Sequence, residues 1–131
     1  MKPELLPALT VAYLGDSIFE VYVREFLIKE RHIVKPDLLQ KEAIQYVSAK
    51  AQAGFMQKAI ECGWLSDEEI VIYKRGRNAK GRRHVKNMSV ITHNQSSGFE
   101  TLIGHLYLLD NMSRIQEIFE LYKGYVDGEC L

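Results

Sequence analysis

The sequence predicts an all-α fold, and three observations lead to that prediction. Apolar residues recur every three or four positions through most of the chain, which is the spacing of one helix face. Helix-start signals precede several of these segments, and no segment shows the apolar–polar alternation of a half-buried strand. The chain has 131 residues and shows no interdomain linker, repeat or low-complexity tract. We therefore expect a single domain over residues 1–131, with five or six helices and a frayed tail at residues 126–131.

The first helix is predicted from Leu5 to Glu30. One of its faces is apolar at three- and four-residue spacing and carries Val11, Leu14, Ile18 and Val21. The face around Asp16 is apolar as well and carries Ala12, Phe19, Val23 and Leu27. Because a helix that is apolar on both sides is normally buried on both sides, we expect Asp16 to point inward.

Two further helices are predicted in the middle of the chain. The first starts at Pro36, a residue favoured in the first helical turn, and runs without a break towards Gly63 as its C-terminal cap. Ser66 followed by Glu69 forms a capping box, which predicts the start of a shorter helix. This helix should end in the glycine-containing segment between Gly76 and Gly81.

The last two helices are predicted from polar caps that precede apolar segments. Ser96 or Ser97 is the expected cap of a helix that contains apolar residues between positions 99 and 109. Asn111 or Ser113 is the expected start of the final, amphipathic helix.

Positive charge is concentrated in one segment, although the chain as a whole has a formal net charge of zero. No acidic residue occurs between Tyr73 and Phe99, and glycines interrupt the cations. Most charge runs are solvated faces, but a flexible cationic loop without balancing acids suits contact with a phosphate backbone, and we favour nucleic-acid binding. The candidate residues are Lys74, Arg75, Arg77, Asn78, Lys80, Arg82, Arg83 and Lys86.

The cysteine content and the N-terminus predict a cytoplasmic protein. Cys62 and Cys130 show neither metal-ligand spacing nor a disulfide framework, which is consistent with a reducing compartment. The N-terminus lacks the apolar run of a signal peptide, and no segment approaches the roughly 20 apolar residues of a membrane span. We therefore expect no membrane partner.

Two carboxylates stand out because each lies in an apolar segment. They are Asp16 and Glu100, and a carboxylate in such surroundings needs a cation or strong hydrogen bonds to replace lost hydration. Asp16 could instead cap a helix, and Glu100 could instead be a surface glutamate near a helix N-terminus. Glu20 lies one turn after Asp16, and we favour its ion pair with Arg24 over metal binding.

The two carboxylates predict a metal site that serves phosphate chemistry. Two oxygen ligands from separate helices suit Mg²⁺, which keeps several waters and completes its coordination with substrate phosphate. Such an ion can activate water and offset charge in the transition state. The four histidines are scattered along the sequence and show no zinc-ligand spacing.

Both acidic segments resemble motifs of a known enzyme family. The segment Tyr13-Leu-Gly-Asp-Ser17 resembles the catalytic signature of ribonuclease III enzymes, and Phe99-Glu-Thr-Leu-Ile-Gly104 resembles their second acidic motif. The match is closer to the small Mini-ribonuclease III subfamily, through the blocks at residues 12–24, 47–53, 73–80 and 96–100. This resemblance implies a homodimer of helical catalytic domains that cleaves double-stranded RNA with Mg²⁺, or with Mn²⁺ as a substitute.

Two positions depart from ribonuclease III proper but agree with the subfamily. Ala12 and Ser97 stand where the larger family has a glutamate and an aspartate, so Asp16 and Glu100 are the only catalytic acids and metal ligands that the resemblance supplies. The chain leaves no room after the catalytic domain for a double-stranded-RNA-binding domain, so RNA affinity should come from the dimer and its cationic loop. The implied substrate is the double-stranded stalk of precursor 23S ribosomal RNA.

Two other functions remain open at the level of sequence. With two acids missing, the chain could be a noncatalytic dimer that binds double-stranded RNA, and Mg²⁺-dependent cleavage distinguishes the two cases. Glu117 and Glu120 give an ExxE spacing that also suits a helical nucleotide pyrophosphohydrolase, although amphipathic helices produce this spacing readily by chance.

Overall fold

A computed structural model describes residues 1–79 and 88–129 of the chain. This part contains six α-helices and one short 3-10 helix, and none of its residues forms a strand, so the predicted all-α class is confirmed. The elements are the 3-10 helix Pro3–Leu5, α1 Ala8–Lys29, α2 Pro36–Val47, α3 Ala49–Glu61, α4 Asp67–Arg77, α5 Met88–Leu108 and α6 Met112–Val126.

Helix α5 lies at the centre and packs against α1, α3, α4 and α6. Its Phe99 ring meets the edge of Phe19 from α1 at a centroid distance of 5.0 Å and approaches Tyr122 from α6 at 5.3 Å. Phe55 from α3 closes the same aromatic cluster, and all four rings are fully buried. Edge-on ring contacts of this kind add to the burial of apolar area, so this cluster anchors the core.

The prediction of one long helix from Pro36 towards Gly63 is wrong in one respect, because two helices, α2 and α3, meet at Ser48. The backbone of Ser48 is extended, and its hydroxyl accepts a hydrogen bond from the Ala51 amide at 3.2 Å, which caps the new helix α3. A serine that caps a helix in this way can end one helix and start the next. Gly63 adopts a left-handed backbone with φ of 70° just after α3, as expected of a C-terminal glycine.

The capping box that predicted α4 is present in full. The Ser66 hydroxyl accepts from the Glu69 amide, and the Glu69 carboxylate accepts from the Ser66 amide. Arg114 from α6 also donates to both carboxylate oxygens of Glu69, at 2.7 and 2.8 Å. The start of α4 is therefore tied to the start of α6 by a two-point, half-buried ion pair.

The predicted start of the fifth helix at Ser96 or Ser97 is wrong, since α5 already includes residue 88. Both serines are buried inside the helix, where Ser96 donates to the Gln52 side chain and the Ser97 carbonyl accepts from Thr101. Their hydroxyl groups suggested a cap, but the Ser96 hydroxyl instead links α5 to α3 through Gln52. Asn111 does cap α6, because its side chain accepts from the Arg114 amide.

Helix α1 begins at Ala8 instead of Leu5, because Pro3–Leu5 forms a separate turn. The helix is also buried on one side only, which corrects the expectation of burial on both. Its outer side exposes three large apolar residues, whose relative exposures are 82% for Tyr13, 58% for Val21 and 52% for Ile28.

The described end of the chain is attached to the helical body. Asp127, just after α6, accepts hydrogen bonds from the Tyr46 hydroxyl at 2.6 Å and from Arg31 at 2.8 Å. Cys130 and Leu131 lie outside the described residues, so the frayed tail over residues 126–131 stays a prediction there.

Candidate active site

Helices α1 and α5 approach each other closely because glycine occupies both sides of their contact. A Cβ atom built on Gly15 would lie 1.8 Å from the Glu100 carbonyl oxygen, and one built on Gly104 would lie 2.1 Å from the Val11 carbonyl oxygen. Any side chain at these positions would force the helices apart. The two glycines therefore place the residue after Gly15, which is Asp16, beside Glu100.

The side chains of Asp16 and Glu100 are in hydrogen-bonding contact, although 84 positions separate them in the sequence. The pKa of Glu100 is raised to about 8, first by burial, then by the hydrogen bond with Asp16 and the negative charge of Asp16, and least by the charge of Glu20. At neutral pH Glu100 therefore keeps a proton that it shares with Asp16. A cation that replaces this proton would relieve the repulsion between the two carboxylates.

The two carboxylates differ in their access to solvent. Glu100 is half-buried, whereas Asp16 is exposed, so the prediction that Asp16 points inward is wrong for the single chain. The reason is that Gly15 and Phe19 lie on the buried face of α1, whereas Asp16 lies just outside that face. An exposed carboxylate beside a half-buried one forms a site that a large substrate can reach from solvent.

Glu20 lies at the edge of the same site and is held by a neighbour. Its carboxylate accepts from Arg24 at 2.9 Å, which confirms the favoured ion pair within α1. Because Glu20 contributes to the raised pKa of Glu100, its charge still acts on the site. Glu20 thus lies near the carboxylate pair, and its negative charge is paired with the guanidinium of Arg24.

The residues present fit a hard divalent cation with two protein ligands. In residues 1–79 and 88–129, no three His, Cys, Asp or Glu side chains are arranged to hold a metal ion. The two positions that lack acids, Ala12 and Ser97, are both buried. The donor set of Asp16 and Glu100 would leave most coordination positions to water and to substrate oxygens, as is usual for Mg²⁺.

Three of the predicted RNA-binding cations belong to a helix. Lys74, Arg75 and Arg77 lie in the last turns of α4, which corrects their placement in a loop. Lys74 is exposed, and Arg77 lies 5.6 Å above the Tyr73 ring and donates to the exposed Asn78. The remaining candidates lie outside the described residues; they are Lys80, Arg82, Arg83 and Lys86.

Arg75 is engaged inside the protein, which sequence reasoning missed. Its guanidinium donates to the Leu6 carbonyl at 3.0 Å, and its side chain is half-buried. No sequence signal indicated this contact, because it joins residues 69 positions apart. Whether Arg75 also binds RNA stays a prediction.

The alternative ExxE pair on α6 takes part in ion pairs of the helix surface. Glu117 lies 3.7 Å from Arg114, and Glu120 lies 2.9 Å from Lys123. Both glutamates are exposed, and the structure brings neither of them to the Asp16–Glu100 pair. Their spacing is accounted for by the amphipathic character of α6.

Comparison with known proteins identifies the family. A family model of the Ribonuclease III domain matches residues 9–111. A Mini-ribonuclease 3 from Enterococcus faecalis is 44% identical over 86% of this chain and 85% of its own length. One from Streptococcus pneumoniae is 38% identical over 95% and 96%, respectively. This chain belongs to the Mini-ribonuclease III family. It is therefore an endoribonuclease of the ribonuclease III type.

A solved structure has a similar fold. The crystal structure of a Fusobacterium nucleatum protein superposes with a TM-score of 0.72 at 28% identity, covering 94% of this chain and 93% of that one. Ribonuclease III enzymes act on double-stranded RNA and generally use divalent metal ions, which agrees with the carboxylate pair on α1 and α5. None of the helices in the described ranges is long and apolar enough to cross a membrane.

Proposed function

We propose that this Mini-ribonuclease III is a Mg²⁺-dependent enzyme that cleaves double-stranded RNA as a homodimer. Asp16 and Glu100 act as its catalytic metal ligands, and Mn²⁺ can replace Mg²⁺. The observation that carries the proposal is the contact between these two carboxylates across the glycine-lined junction of α1 and α5. Within an endoribonuclease, a pair of acids that resists full ionisation is a natural cation site.

The chain's own residues prepare the site for hydrolysis of a phosphodiester bond. Asp16 and Glu100 would hold the ion together, and Glu100 would have to release its proton to solvent for both carboxylates to do so. When bound, Mg²⁺ supplies a Lewis acid that lowers the pKa of a bound water and offsets negative charge on the phosphate. Arg24 pairs with Glu20 at 2.9 Å, so the negative charge of Glu20 beside the carboxylate pair has a cation of its own within α1. Water adds to phosphorus, and one P–O bond of the RNA backbone breaks.

The cationic end of α4 and the segment that follows it are proposed to grip the RNA backbone. Lys74, Arg77 and Asn78 are the described candidates, and Lys80, Arg82, Arg83 and Lys86 follow in the sequence. Double-stranded RNA is read mostly by shape, through phosphates and hydroxyls across its wide minor groove. Cations at the end of a helix that packs on α5 would hold the backbone at a fixed distance from Glu100.

The homodimer is supported by an apolar surface on α1 and α2. Tyr13, Val21 and Ile28 are exposed on α1, and Ile44 is 59% exposed on α2. Between the two helices lies an apolar groove of about 570 Å³. Large exposed apolar residues beside an apolar groove commonly mark an interface, so we propose that a second copy covers these residues.

The natural substrate is proposed to be the double-stranded stalk of precursor 23S ribosomal RNA, in the cytoplasm. Family membership supports this choice, because this RNA is the substrate that the resemblance to Mini-ribonuclease III implies. A noncatalytic RNA-binding role is disfavoured, since the carboxylate pair is assembled and the family is one of endoribonucleases.

The decisive experiment is cleavage of a labelled RNA duplex and its matching single strand, with Mg²⁺ present or chelated. The wild type should cut only the duplex and only with Mg²⁺, while Asp16→Asn and Glu100→Gln should bind the duplex without cutting it. Glu25→Gln is the matched control on α1, because Glu25 is exposed and pairs with Lys29 at 3.6 Å. Cleavage by both site variants at the wild-type rate would remove Asp16 and Glu100 from the site.

The dimer has its own test in solution. Val21→Glu should convert a dimer to a monomer in sedimentation equilibrium, because it places a charge in the apolar surface. Val71→Glu is the control, since Val71 is 60% exposed, nearly the same as Val21, but belongs to α4 and not to α1 or α2. Equal dimer dissociation constants for both variants would exclude this surface as the interface.

A further inference from the structure

The three cations at the end of α4 are held in different ways. Lys74 is exposed, and Arg77 lies over the ring of Tyr73. Arg75 is half-buried, and its Nη2 atom donates to the carbonyl oxygen of Leu6, just before α1 begins. Moving this guanidinium to an RNA phosphate would cost the Leu6 carbonyl its charged donor. Arg75 is therefore poorly placed to serve as an independent phosphate ligand.

The contact between Arg75 and Leu6 is part of a patch where three helices meet. Thr101 of α5 is fully buried, and its hydroxyl approaches the Ala8 carbonyl at 3.3 Å, at the first residue of α1. The same hydroxyl lies against Gly76 of α4, where an added Cβ would come within 2.2 Å of it. The start of α1 and the end of α4 thus both contact Thr101 of α5. Arg75 adds a direct contact between the end of α4 and the residues just before α1.

The charge of Arg75 also acts on a buried histidine of α5, His105. His105 is buried on α5, one turn after Thr101, and burial lowers its pKa. The positive charge of Arg75 lowers this pKa as well, while Glu4 of the N-terminal turn opposes both effects. Arg75 and Glu4 therefore both act on the same buried ring, which agrees with the hydrogen bond from the guanidinium to Leu6.

We propose that Arg75 is a positioning residue that fixes the cationic end of α4 relative to α1, and not a ligand of RNA phosphate. Helix α1 carries Asp16 two turns after Ala8, and α4 carries Lys74 and Arg77 beside Arg75. A direct link between the ends of these helices sets the distance from the RNA-binding cations to the carboxylates. The inference rests on the proposed function, because it assigns Arg75 a part in aligning bound RNA with the site.

The test compares Arg75→Gln and Arg75→Lys with Arg77→Gln in the full-length chain. Three quantities are measured for each protein: the turnover rate at saturating duplex, the dependence of duplex affinity on salt, and amide hydrogen exchange in the segment from Lys2 to Thr10. Arg75→Gln should keep the wild-type salt slope, lower the turnover rate about 3- to 10-fold and speed exchange in that segment. Misalignment of reacting groups by a fraction of an ångström is enough for such a loss.

The other two variants separate charge from position. Arg75→Lys keeps the charge, but its ammonium ends short of the guanidinium Nη2 atom, so it should resemble Arg75→Gln in exchange and turnover. Arg77→Gln should instead lower the salt slope by about one and leave exchange in the N-terminal segment unchanged.

The inference is overturned if Arg75→Gln lowers the salt slope as Arg77→Gln does, with normal exchange, since Arg75 would then bind phosphate. It is also overturned if both Arg75 variants match the wild type in all three quantities. Failure of the proposed function looks different, because the wild type itself would then show no Mg²⁺-dependent cleavage of the duplex.

Discussion

Replacing Glu100 with glutamine should abolish cleavage and yet make the metal-free protein more stable at pH 8. In the folded chain the pKa of Glu100 is about 8, whereas the ordinary value is 4.5. At a pH between these two pKa values, the folded chain holds a proton on Glu100 that the unfolded chain has lost. Stability therefore falls as pH rises through this window, since the unfolded state binds fewer protons than the native one. Glutamine carries no ionisable proton, so the variant should not show this fall.

The size of the effect follows from the width of the window. Each pH unit inside it lowers the free energy of unfolding by at most about 1.4 kcal/mol, which gives a ceiling of about 5 kcal/mol over the whole window. Because Asp16 is exposed and water screens the pair, we expect about 2 kcal/mol at pH 8. For a domain of this size that corresponds to a melting temperature about 6 to 10 °C higher for Glu100→Gln.

The assay is thermal unfolding at pH 5, 6, 7 and 8 with a chelator present. Glu61→Gln is the control, because Glu61 is exposed at the end of α3, away from the site, and its variant should follow the wild type at every pH. Adding Mg²⁺ at pH 8 should stabilise the wild type more than Glu100→Gln, since only the wild type offers both carboxylates to the ion. The reasoning is refuted if the difference between Glu100→Gln and wild type does not grow from pH 5 to pH 8.

Three further predictions concern residues that hold the site in place. Gly15→Ala should lower the melting temperature by at least 5 °C and abolish cleavage, because its methyl group would overlap the Glu100 carbonyl; thermal unfolding and the duplex assay check this. Arg114→Met should cost about 3 kcal/mol in urea unfolding at pH 7 by leaving the buried Glu69 without its partner. Arg114 keeps the Glu69 carboxyl ionised and, against the opposing effect of burial, lowers its pKa, so the ion pair's contribution should disappear as pH falls through that lowered value. Ser48→Ala should cost about 1 kcal/mol, measured the same way, through loss of the α3 cap.

The helical fold could be predicted from local signals. The prediction was wrong where a residue type that often caps helices is instead buried inside one. The capping box at Ser66 and the cap at Asn111 were correct because each lies between a loop and an apolar segment. Ser96 and Ser97 carry the same hydroxyl signal, but they lie inside α5, where their polar atoms bond to Gln52 and Thr101. Single-residue caps cannot be told from buried polar contacts until the neighbouring helix is known.

The two acids could be selected from sequence, but the reason that they meet could not be derived from it. Asp16 and Glu100 stood out because each carries charge in an apolar segment. Their contact depends on Gly15 meeting the backbone of Glu100, and this is a tertiary relation between α1 and α5. The exposure of Asp16 was missed for a related reason. Helical periodicity shows which residues share a face, but it does not show how far the neighbouring helix covers that face.

The absence of acids at Ala12 and Ser97 changes the energetics of the site as well as the number of its ligands. Both positions are buried, at 5% and 7% exposure, one turn before Asp16 and Glu100 respectively. A carboxylate at either position would have to be neutralised by a further proton or by the cation, since buried like charges repel. With only two acids, one proton on Glu100 removes the repulsion between two full negative charges when no cation is bound. Two acids also provide few ligands for the ion, so the phosphates of bound RNA should complete its coordination. We therefore expect Mg²⁺ affinity to rise when duplex RNA binds and, by thermodynamic reciprocity, duplex affinity to rise with Mg²⁺.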